Sequence, residues 1–488
     1  MPNEILRLLN KSEAFGNLVS ATGHGAVGVY GVGDAHKTHV AASLMSQLTR
    51  PMLFVAPGEA SALTAFDELS GYYENTILLP ERDINLSVNT YAQSSDITAK
   101  RIEALYALYS GRPCIVVCSA NSLIQRVIPP SDLFSAIRTL RVGDMLDTKE
   151  LAASLTYMGY ERSDICEGKG QFAIRGGYVD IFPLSEKHPA RIELFDDEID
   201  TMRIYDPLTQ RSIENIDEAV ITPATEIPCT VQTLVEAAAR MRGVKALAAE
   251  RELMRQGVKP TCAINLMPYI YEDASIMDYA PEGMITVIDE PLRVEETAQI
   301  ENTLFNEALA TLIEKGIAHK KQSELVHSSA YVLGRLATDS TVLLFSLMRS
   351  FNAIPAKSII SLQTRSVPSY QNGLTPLIGD IKHWKANGYC VAIMAGGHAQ
   401  RIKDELDDYG LGIPVVDEYD RTLLPSQVII TKQSVPRGFE YIDLKQVVIS
   451  EREIYGTKTR RTAKKRQKRP SLTFEELKKG DLVVHEAH

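Results

Sequence analysis

Two short runs in the first half of the chain alternate between apolar and polar positions, residues 171–175 (QFAIR) and 178–182 (YVDIF). Alternation with a period of two residues is typical of half-buried strands. A glycine pair at 176–177 separates the runs and predicts a β-hairpin. Further strand-like runs follow at 190–195 and 201–205. The pattern therefore predicts a small β-rich domain over residues 126–223.

Short apolar runs on either side of this domain alternate with helical segments, which is the pattern of a doubly wound parallel sheet. Buried strands are predicted before it at 26–30, 51–57, 76–79 and 114–119. Helices are predicted after it at 234–256 and 295–322. We predict a multidomain α/β protein in which residues 1–125 and 224–350 build one parallel sheet that the small domain interrupts. A second α/β domain, of unassigned role, is predicted over 351–455.

The turn after the first predicted strand carries an incomplete phosphate-binding motif. A P-loop reads GxxxxGK[ST]; its glycines let backbone amides close around phosphates, and its lysine reaches the β and γ oxygens. Gly31, Lys37 and Thr38 fit this motif, but His36 stands where the second glycine is needed. A β-carbon there occupies the space through which backbone would approach a phosphate. The sheet is thus predicted to be P-loop-NTPase-like, with a turn that is a weakened nucleotide site or, as we favour, a relic.

An acidic pair, Asp289 and Glu290, follows the apolar run MITVI. This arrangement resembles a Walker B strand, whose acidic end would hold Mg²⁺. A strand that ends in a polar turn is the alternative. Because the phosphate motif is incomplete, we predict no catalytic role for either residue and treat them as a degenerate Walker B.

The composition is that of a folded protein, with 44% hydrophobic and 23% charged residues. The six cysteines form no CxxC pair, which argues against zinc and favours buried free thiols in a reducing compartment. No apolar run approaches the roughly 20 residues that cross a bilayer. The N-terminal segment contains acids and no apolar core, unlike a signal peptide. A cytoplasmic location is predicted.

The formal net charge of −10 argues against a general polycation, yet residues 458–469 hold eight basic residues and no acid. A run of like charges predicts a solvated tether, here over 456–470. Weak, salt-dependent contact with nucleic acid phosphates is the alternative.

Three motifs in and around the predicted hairpin occur close together: GYxR at 159–162, GxFxxRGxxxDIFP at 170–183 and RIELFDDEIDTMRxYDPLT at 191–209. Together they resemble the second domain of the excision-repair protein UvrB and the equivalent module of the transcription-repair coupling factors (the Mfd family). In both families this domain docks the damage-recognition ATPase UvrA. The resemblance places UvrA-binding arginines at Arg162 and Arg175, with Phe182 a secondary candidate that is either core or interface. A third arginine of the UvrB pattern is Ala173 in this chain.

Arg175 ends the first strand of the predicted hairpin, so we expect its guanidinium at the rim of the sheet. Arg162 is expected near the same surface, where the two would form one small basic patch. An ordinary solvated sheet is the alternative interpretation of the pattern alone.

Other segments of the chain indicate which of the two families it resembles more. Residues 80–98 contain one tyrosine, Tyr91, whereas UvrB inserts a tyrosine-rich hairpin there that stacks on DNA. In this respect the chain resembles the coupling factors. Residues 437–456 resemble the end of their third domain, and residues 471–488 resemble the start of their RNA-polymerase-interacting domain. We therefore expect an N-terminal fragment of such a protein.

This resemblance implies a module that recruits UvrA to stalled transcription complexes for nucleotide excision repair. The whole protein would also contact RNA polymerase and double-stranded DNA, through a translocase motor that uses ATP and Mg²⁺. For this chain itself we expect no enzymatic activity, no catalytic residue, no cofactor and no metal. The alternative is a UvrB-like repair ATPase or helicase, which would require a sound P-loop and an aromatic hairpin.

Overall fold

The computed structural model describes residues 3–86, 94–371, 373–419 and 423–456. Tyr91, the basic residues of the predicted tether and all of residues 471–488 lie outside this part of the chain, so the expectations placed on them stay predictions. None of the helices within the described ranges is both long and apolar enough to cross a bilayer.

Within the described ranges the strands group into four sheets. In chain order they are β1 (Val27–Tyr30), β2 (Met52–Ala56), β3 (Thr76–Leu79), β4 (Ile115–Ser119), β5 (Arg138–Arg141), β6 (Glu161–Arg162), β7 (Gln171–Arg175), β8 (Tyr178–Phe182), β9 (Ala190–Phe195), β10 (Glu198–Tyr205), β11 (Ser212–Ile216), β12 (Glu218–Ile221), β13 (Ile285–Asp289), β14 (Thr341–Phe345), β15 (Ser358–Ser361), β16 (Thr364–Arg365), β17 (Cys390–Met394), β18 (Val415–Val416), β19 (Val428–Thr431), β20 (Phe439–Tyr441) and β21 (Gln446–Ser450).

The helices cover the faces of these sheets and connect their strands. They are α1 (Asn3–Leu6), α2 (Glu13–Ala21), α3 (Asp34–Leu48), α4 (Glu59–Tyr72), α5 (Ser95–Tyr109), α6 (Ala120–Ile124), α7 (Pro130–Ala136), α8 (Thr148–Tyr157), α9 (Val231–Arg240), α10 (Ala248–Arg255), α11 (Met267–Ile270), α12 (Pro291–Glu314), α13 (Ser329–Leu336), α14 (Thr375–Ala386), α15 (Ala399–Asp407) and α16 (Glu451–Tyr455). Short 3₁₀ turns lie at Arg7–Lys11, Ala263–Leu266, Ile276–Tyr279, Lys320–Leu325 and Gly396–His398.

The first sheet has seven parallel strands in the order β15-β1-β14-β13-β2-β4-β3. Its central strands are near-continuous apolar runs because helices cover both faces. In β2, Leu53 and Val55 enter the core on one face while Met52 and Phe54 enter the core on the other. This arrangement confirms the predicted multidomain α/β class.

Two sequence predictions about this region need correction. The sheet takes β15 from beyond the boundary predicted at residue 350, because this edge strand is short and half-exposed and its sequence SIIS gives little signal. The single helix predicted at 234–256 is two helices, α9 and α10, since Gly243 has a φ of 85° that an α-helix does not accommodate.

The inserted domain contains the predicted hairpin with the expected bounds. Strands β7 and β8 pair antiparallel in a six-stranded sheet of order β11-β10-β9-β8-β7-β6, and β5 pairs with β12 in a separate ribbon. Gly176 adopts a φ of 58° in the turn, as a tight hairpin requires. Helix α8 contributes Leu151 and Leu155 to a core that includes Phe172 and Ile181.

The sheet of the third domain, called the third sheet below, has the order β16-β20-β21-β17-β19-β18 and is packed directly on the first domain. One hydrophobic cluster contains Val40 and Leu69 of the first domain together with Phe439, Tyr441 and Val448 of the third. The two domains therefore share a core, and residues of one can complete or block a site on the other.

A buried ion cluster lies where the chain leaves the first sheet for the inserted domain and returns. Glu226, on the return, lies 3.0 Å from the Arg82 guanidinium and 2.9 Å from Nε of Arg101, and all three side chains are buried. Arg101 also donates to the side chain of Gln125, just before the insertion, at 3.2 Å. Burial alone would raise the pKa of Glu226, but Arg101 and Arg82 outweigh it and hold that pKa below its ordinary value.

We expect Glu226→Ala to lower the free energy of unfolding by about 3–5 kcal/mol, because it leaves two buried guanidiniums without their carboxylate. Denaturant titration at pH 7 measures this. Since the pKa is depressed in the folded state, the contribution is complete above the ordinary value of 4.5 and is lost as the pH falls below it. The gap between wild type and variant should therefore shrink on acidification.

The matched control is Glu218→Ala. Glu218 pairs with Arg141 at 2.7 Å, but the two side chains are 47% and 60% exposed, so its loss should change stability by less than about 1 kcal/mol. Equal losses in the two variants would show that the buried cluster does not hold the junction.

Candidate partner-binding surface and phosphate turn

The two faces of the hairpin have different environments. Phe172, Ile174, Val179 and Ile181 pack into or against the main core of the inserted domain. The alternate positions of β7 and β8 point to the opposite face, where Ala173 is in register with Asp180. The residues of this second face include one of the two arginines predicted to bind a partner.

Asp180 is the anchor of that second face. It is only 1% exposed and accepts hydrogen bonds from Nε of Arg191 at 2.7 Å and from Nη2 of Arg191 at 2.9 Å. Nη2 of Arg175 adds a third bond to Oδ2 at 3.0 Å. The Arg191 guanidinium also lies 4.3 Å from the centroid of the Tyr205 ring.

Arg175 is the outer member of this group, with a side chain that is 47% exposed. Because Arg191 already binds both carboxylate oxygens of Asp180, loss of Arg175 would leave the buried acid paired. The geometry thus separates Arg191, which supports the sheet, from Arg175, which is available to a partner. Arg191 was not identified as a structural residue from the sequence. Its pairing could have been inferred from Asp180, an acid among the apolar residues of β8, which lies opposite a basic residue of the next strand.

Phe182 lies in the interior of the domain. It is 5% exposed and packs with Cys166 and Ala173 in a small cluster of their own. Of the two roles left open by its sequence context, core packing is the one its position supports. Because so little of its side chain is exposed, Phe182 has almost no surface with which to contact a partner.

Arg162 is exposed on the edge strand β6, but not on the face of Arg175. It is in parallel register with Phe172, whose side chain faces the main core, and it lines a cleft beside Tyr157. The prediction of one basic patch is therefore wrong. The orientation of a two-residue parallel edge strand does not follow from the alternation of the neighbouring hairpin.

The phosphate turn between β1 and α3 is covered by the third domain's first segment. Gly31 has a φ of 76°, and a Cβ there would lie 2.4 Å from the Leu362 carbonyl oxygen. The Gly33 amide donates to the Thr364 hydroxyl at 3.1 Å, and that hydroxyl donates to the Gly31 carbonyl at 2.6 Å. A backbone amide that would face a phosphate in a P-loop is thus bonded within the protein.

His36 serves the packing between domains. Its ring is fully buried, and Nε2 donates to the Glu440 carbonyl at 3.0 Å. The ring meets Tyr441 edge-on, with centroids 5.1 Å apart. Burial lowers the pKa of His36 to about 4, so the imidazole is neutral near pH 7. His36, at the position of the second glycine of the P-loop motif, is thus a contact with β20.

Lys37 is engaged by the degenerate Walker B pair. Its Nζ lies 2.6 Å from Oδ1 of Asp289 and 2.8 Å from Oε1 of Glu290, and Asp34 is 3.3 Å away. Burial alone would lower the pKa of Lys37, but Asp289 and Glu290 outweigh it and raise that pKa. In a nucleotide site the lysine would contact a phosphate and the acids would hold Mg²⁺. Here Lys37 forms ion pairs with Asp289 and Glu290 instead.

Thr38, the last residue of the phosphate-binding motif, is also bonded within the protein. Its hydroxyl donates to Oε2 of the buried Glu68 at 2.8 Å. The hydroxyl that would approach a metal is therefore bonded to a carboxylate of α4. The residues present do not fit an ATP–Mg²⁺ complex, and no catalytic step is assigned to them.

The sequence of the inserted domain is similar to a known domain family. Residues 139–227 match the protein family described as the UvrB interaction domain. These residues run from β5 through the six-stranded sheet to the buried Glu226, and they include Arg162 and Arg175.

Over nearly its whole length the chain is similar to transcription-repair-coupling factors. It is 26% identical to that of Bacillus subtilis (strain 168), over 94% of this chain and 41% of the relative. It is 26% identical to that of Staphylococcus haemolyticus, over 98% of this chain and 43% of the relative. The match to that of Staphylococcus aureus (strain MRSA252) is 25%, over 99% and 43% respectively. The chain thus spans about two fifths of the length of these curated relatives.

We expect the chain to bind no ATP, and His36→Gly to restore neither binding nor turnover, because Lys37 stays paired with Asp289 and Glu290 while Thr364 still covers the turn. Thermal shift with millimolar Mg-ATP and a steady-state ATPase assay measure the two properties. A nucleotide-dependent shift, or turnover above about 0.1 per second against roughly 10 for a typical enzyme, would contradict this.

Proposed function

We propose that this chain is an interaction module that recruits UvrA during transcription-coupled nucleotide excision repair. The observation that carries the proposal is the match of residues 139–227 to the UvrB interaction domain, on a sheet that exposes Arg175 and Arg162. The name of the relatives, transcription-repair-coupling factor, supplies the process.

Arg175 is suited to a protein contact by its chemistry and its position. A guanidinium presents five donors in a planar fork that can pair with a partner carboxylate in two places, which lysine does not reproduce. Arg175 uses Nη2 for Asp180 and is half-exposed, so its other donors face outward from a rigid base. The base is rigid because Asp180 is fixed independently by Arg191.

The polar groups of the phosphate turn bond to other residues of the protein, which favours a binding module over the alternative of a repair ATPase or helicase. Lys37, His36 and Thr38 each bond within the protein, and the partners come from three different parts of the chain. The first sheet then acts as a scaffold that positions the inserted domain. Contacts with RNA polymerase and double-stranded DNA, and ATP-driven translocation, stay predictions for a longer protein, and no described residue is assigned to them.

The test is calorimetric titration of UvrA into wild-type chain, Arg175→Ala, Arg162→Ala and the double variant. We expect each single variant to lose about 2 kcal/mol of binding free energy, a factor of about 30 in affinity. Arg141→Ala is the matched control, because Arg141 is an exposed arginine of the same domain that pairs with Glu218 on the separate ribbon. It should bind like wild type.

Thermal melts of every variant accompany the titrations. Wild-type melts are expected, since Arg191 keeps Asp180 paired when Arg175 is absent. Wild-type affinity in the double variant would refute the assignment of these arginines, and a wild-type chain that fails to bind UvrA would refute the proposed function.

A further inference from the structure

A cleft of about 900 Å³ lies between the inserted domain and the helices that follow it. One wall is Tyr157 of α8 with Phe172 and Arg162 of the sheet. The opposite wall is the first turns of α9, including Leu234. The cleft is therefore lined both by Arg162, which is predicted to bind a partner, and by α9, which lies outside the inserted domain.

Three cations line this cleft: Arg138, Arg162 and Lys259. In the described part of the chain none of them forms an ion pair. Nη1 of Arg138 donates to the Ser135 carbonyl at 3.2 Å, and Nζ of Lys259 donates to the Ile227 carbonyl at 3.3 Å. Glu150 is the one acid among the lining residues. On a chain with a net charge of −10, this is a local excess of unneutralised positive charge.

The wall around Lys259 is built by close packing. Gly257 has a φ of 76°, and a Cβ there would lie 2.7 Å from Cγ1 of Val231, so only glycine lets the end of α10 approach the start of α9. Lys259 follows two residues later and is fixed at the cleft. Val231 itself is 63% exposed, and it gives the rim an apolar surface beside the charge.

We propose that this cleft receives an acidic segment of the partner that binds the inserted domain, with carboxylates placed at Arg138, Arg162 and Lys259 and an apolar side chain against Tyr157 and Leu234. This rests on the proposed function and names UvrA as the protein that supplies the segment. Charge complementarity selects an acidic occupant, and the apolar walls select a peptide over a nucleic acid backbone.

The proposal extends the binding surface beyond the family match. Arg138 and Lys259 both lie outside residues 139–227, and Lys259 belongs to the first domain's second half. An acidic segment in the cleft would touch both domains at once, so binding would depend on how the inserted domain is set on its scaffold.

The experiment is UvrA titration against Arg138→Glu and Lys259→Glu, at about 50 and 200 mM salt. Each variant is expected to weaken binding at least tenfold at low salt and less at high salt, because the lost attraction is electrostatic. Lys245→Glu is the matched control: Lys245 is exposed between α9 and α10, does not line the cleft, and changes the net charge equally. Lys259→Gln serves as a second variant should charge reversal impair folding in thermal melts.

The outcomes separate this inference from the proposed function. Wild-type affinity in the two cleft variants, together with weakened binding by Arg175→Ala, would overturn the cleft and leave UvrA recruitment standing. Equal effects of Lys245→Glu and Lys259→Glu would also overturn it, since only net charge would then matter. Loss of affinity for a short DNA duplex without loss of UvrA binding would make the occupant a nucleic acid. Absence of UvrA binding by wild type would overturn both proposals.

Discussion

The buried contact of Glu226 with Arg82 and Arg101 is the constraint on which the rest of the arrangement depends. It ties the return of the insertion to the edge of the first sheet, and Arg101 simultaneously holds Gln125 on the outgoing side. Two crossings of the chain are thus fixed at one point. A buried ion group of this kind is poor evidence for extra stability, but its charges tolerate few alternative geometries. Glu226 precedes α9, whose first turns line the cleft, so this junction lies close in sequence to one wall of the cleft.

The turn between β1 and α3 is a joint between the first and third domains. Polar groups of this turn have partners within the protein: the Gly33 amide donates to Thr364, Nε2 of His36 donates to the Glu440 carbonyl in β20, and Lys37 pairs with Asp289 and Glu290. A buried polar group left unpaired is costly, so a turn that loses its ligand is stable only if such partners are supplied. The third domain supplies two of them, Thr364 and the Glu440 carbonyl, beside the hydrophobic cluster that it shares with the first domain.

Much of the architecture was predictable because it rests on local patterns. The hairpin bounds at 171–175 and 178–182 came from alternation and a glycine pair, and the central strands came from apolar runs. Side-chain partners were not predictable, because they arise from distant parts of the chain: Glu290 lies 253 positions from Lys37. The same limit applies to the direction of Arg162, which depends on its pairing with β7, and to the interior position of Phe182.

Amide hydrogen exchange of the chain with and without UvrA tests this account most directly, because exchange reports where partner contact or ordering protects the backbone. UvrA should slow exchange in β6, around the β7–β8 turn and at the start of α9, and leave the phosphate turn and the third sheet unchanged. Protection confined to the first or third sheet, or unchanged exchange throughout the inserted domain in a saturated complex, would contradict it.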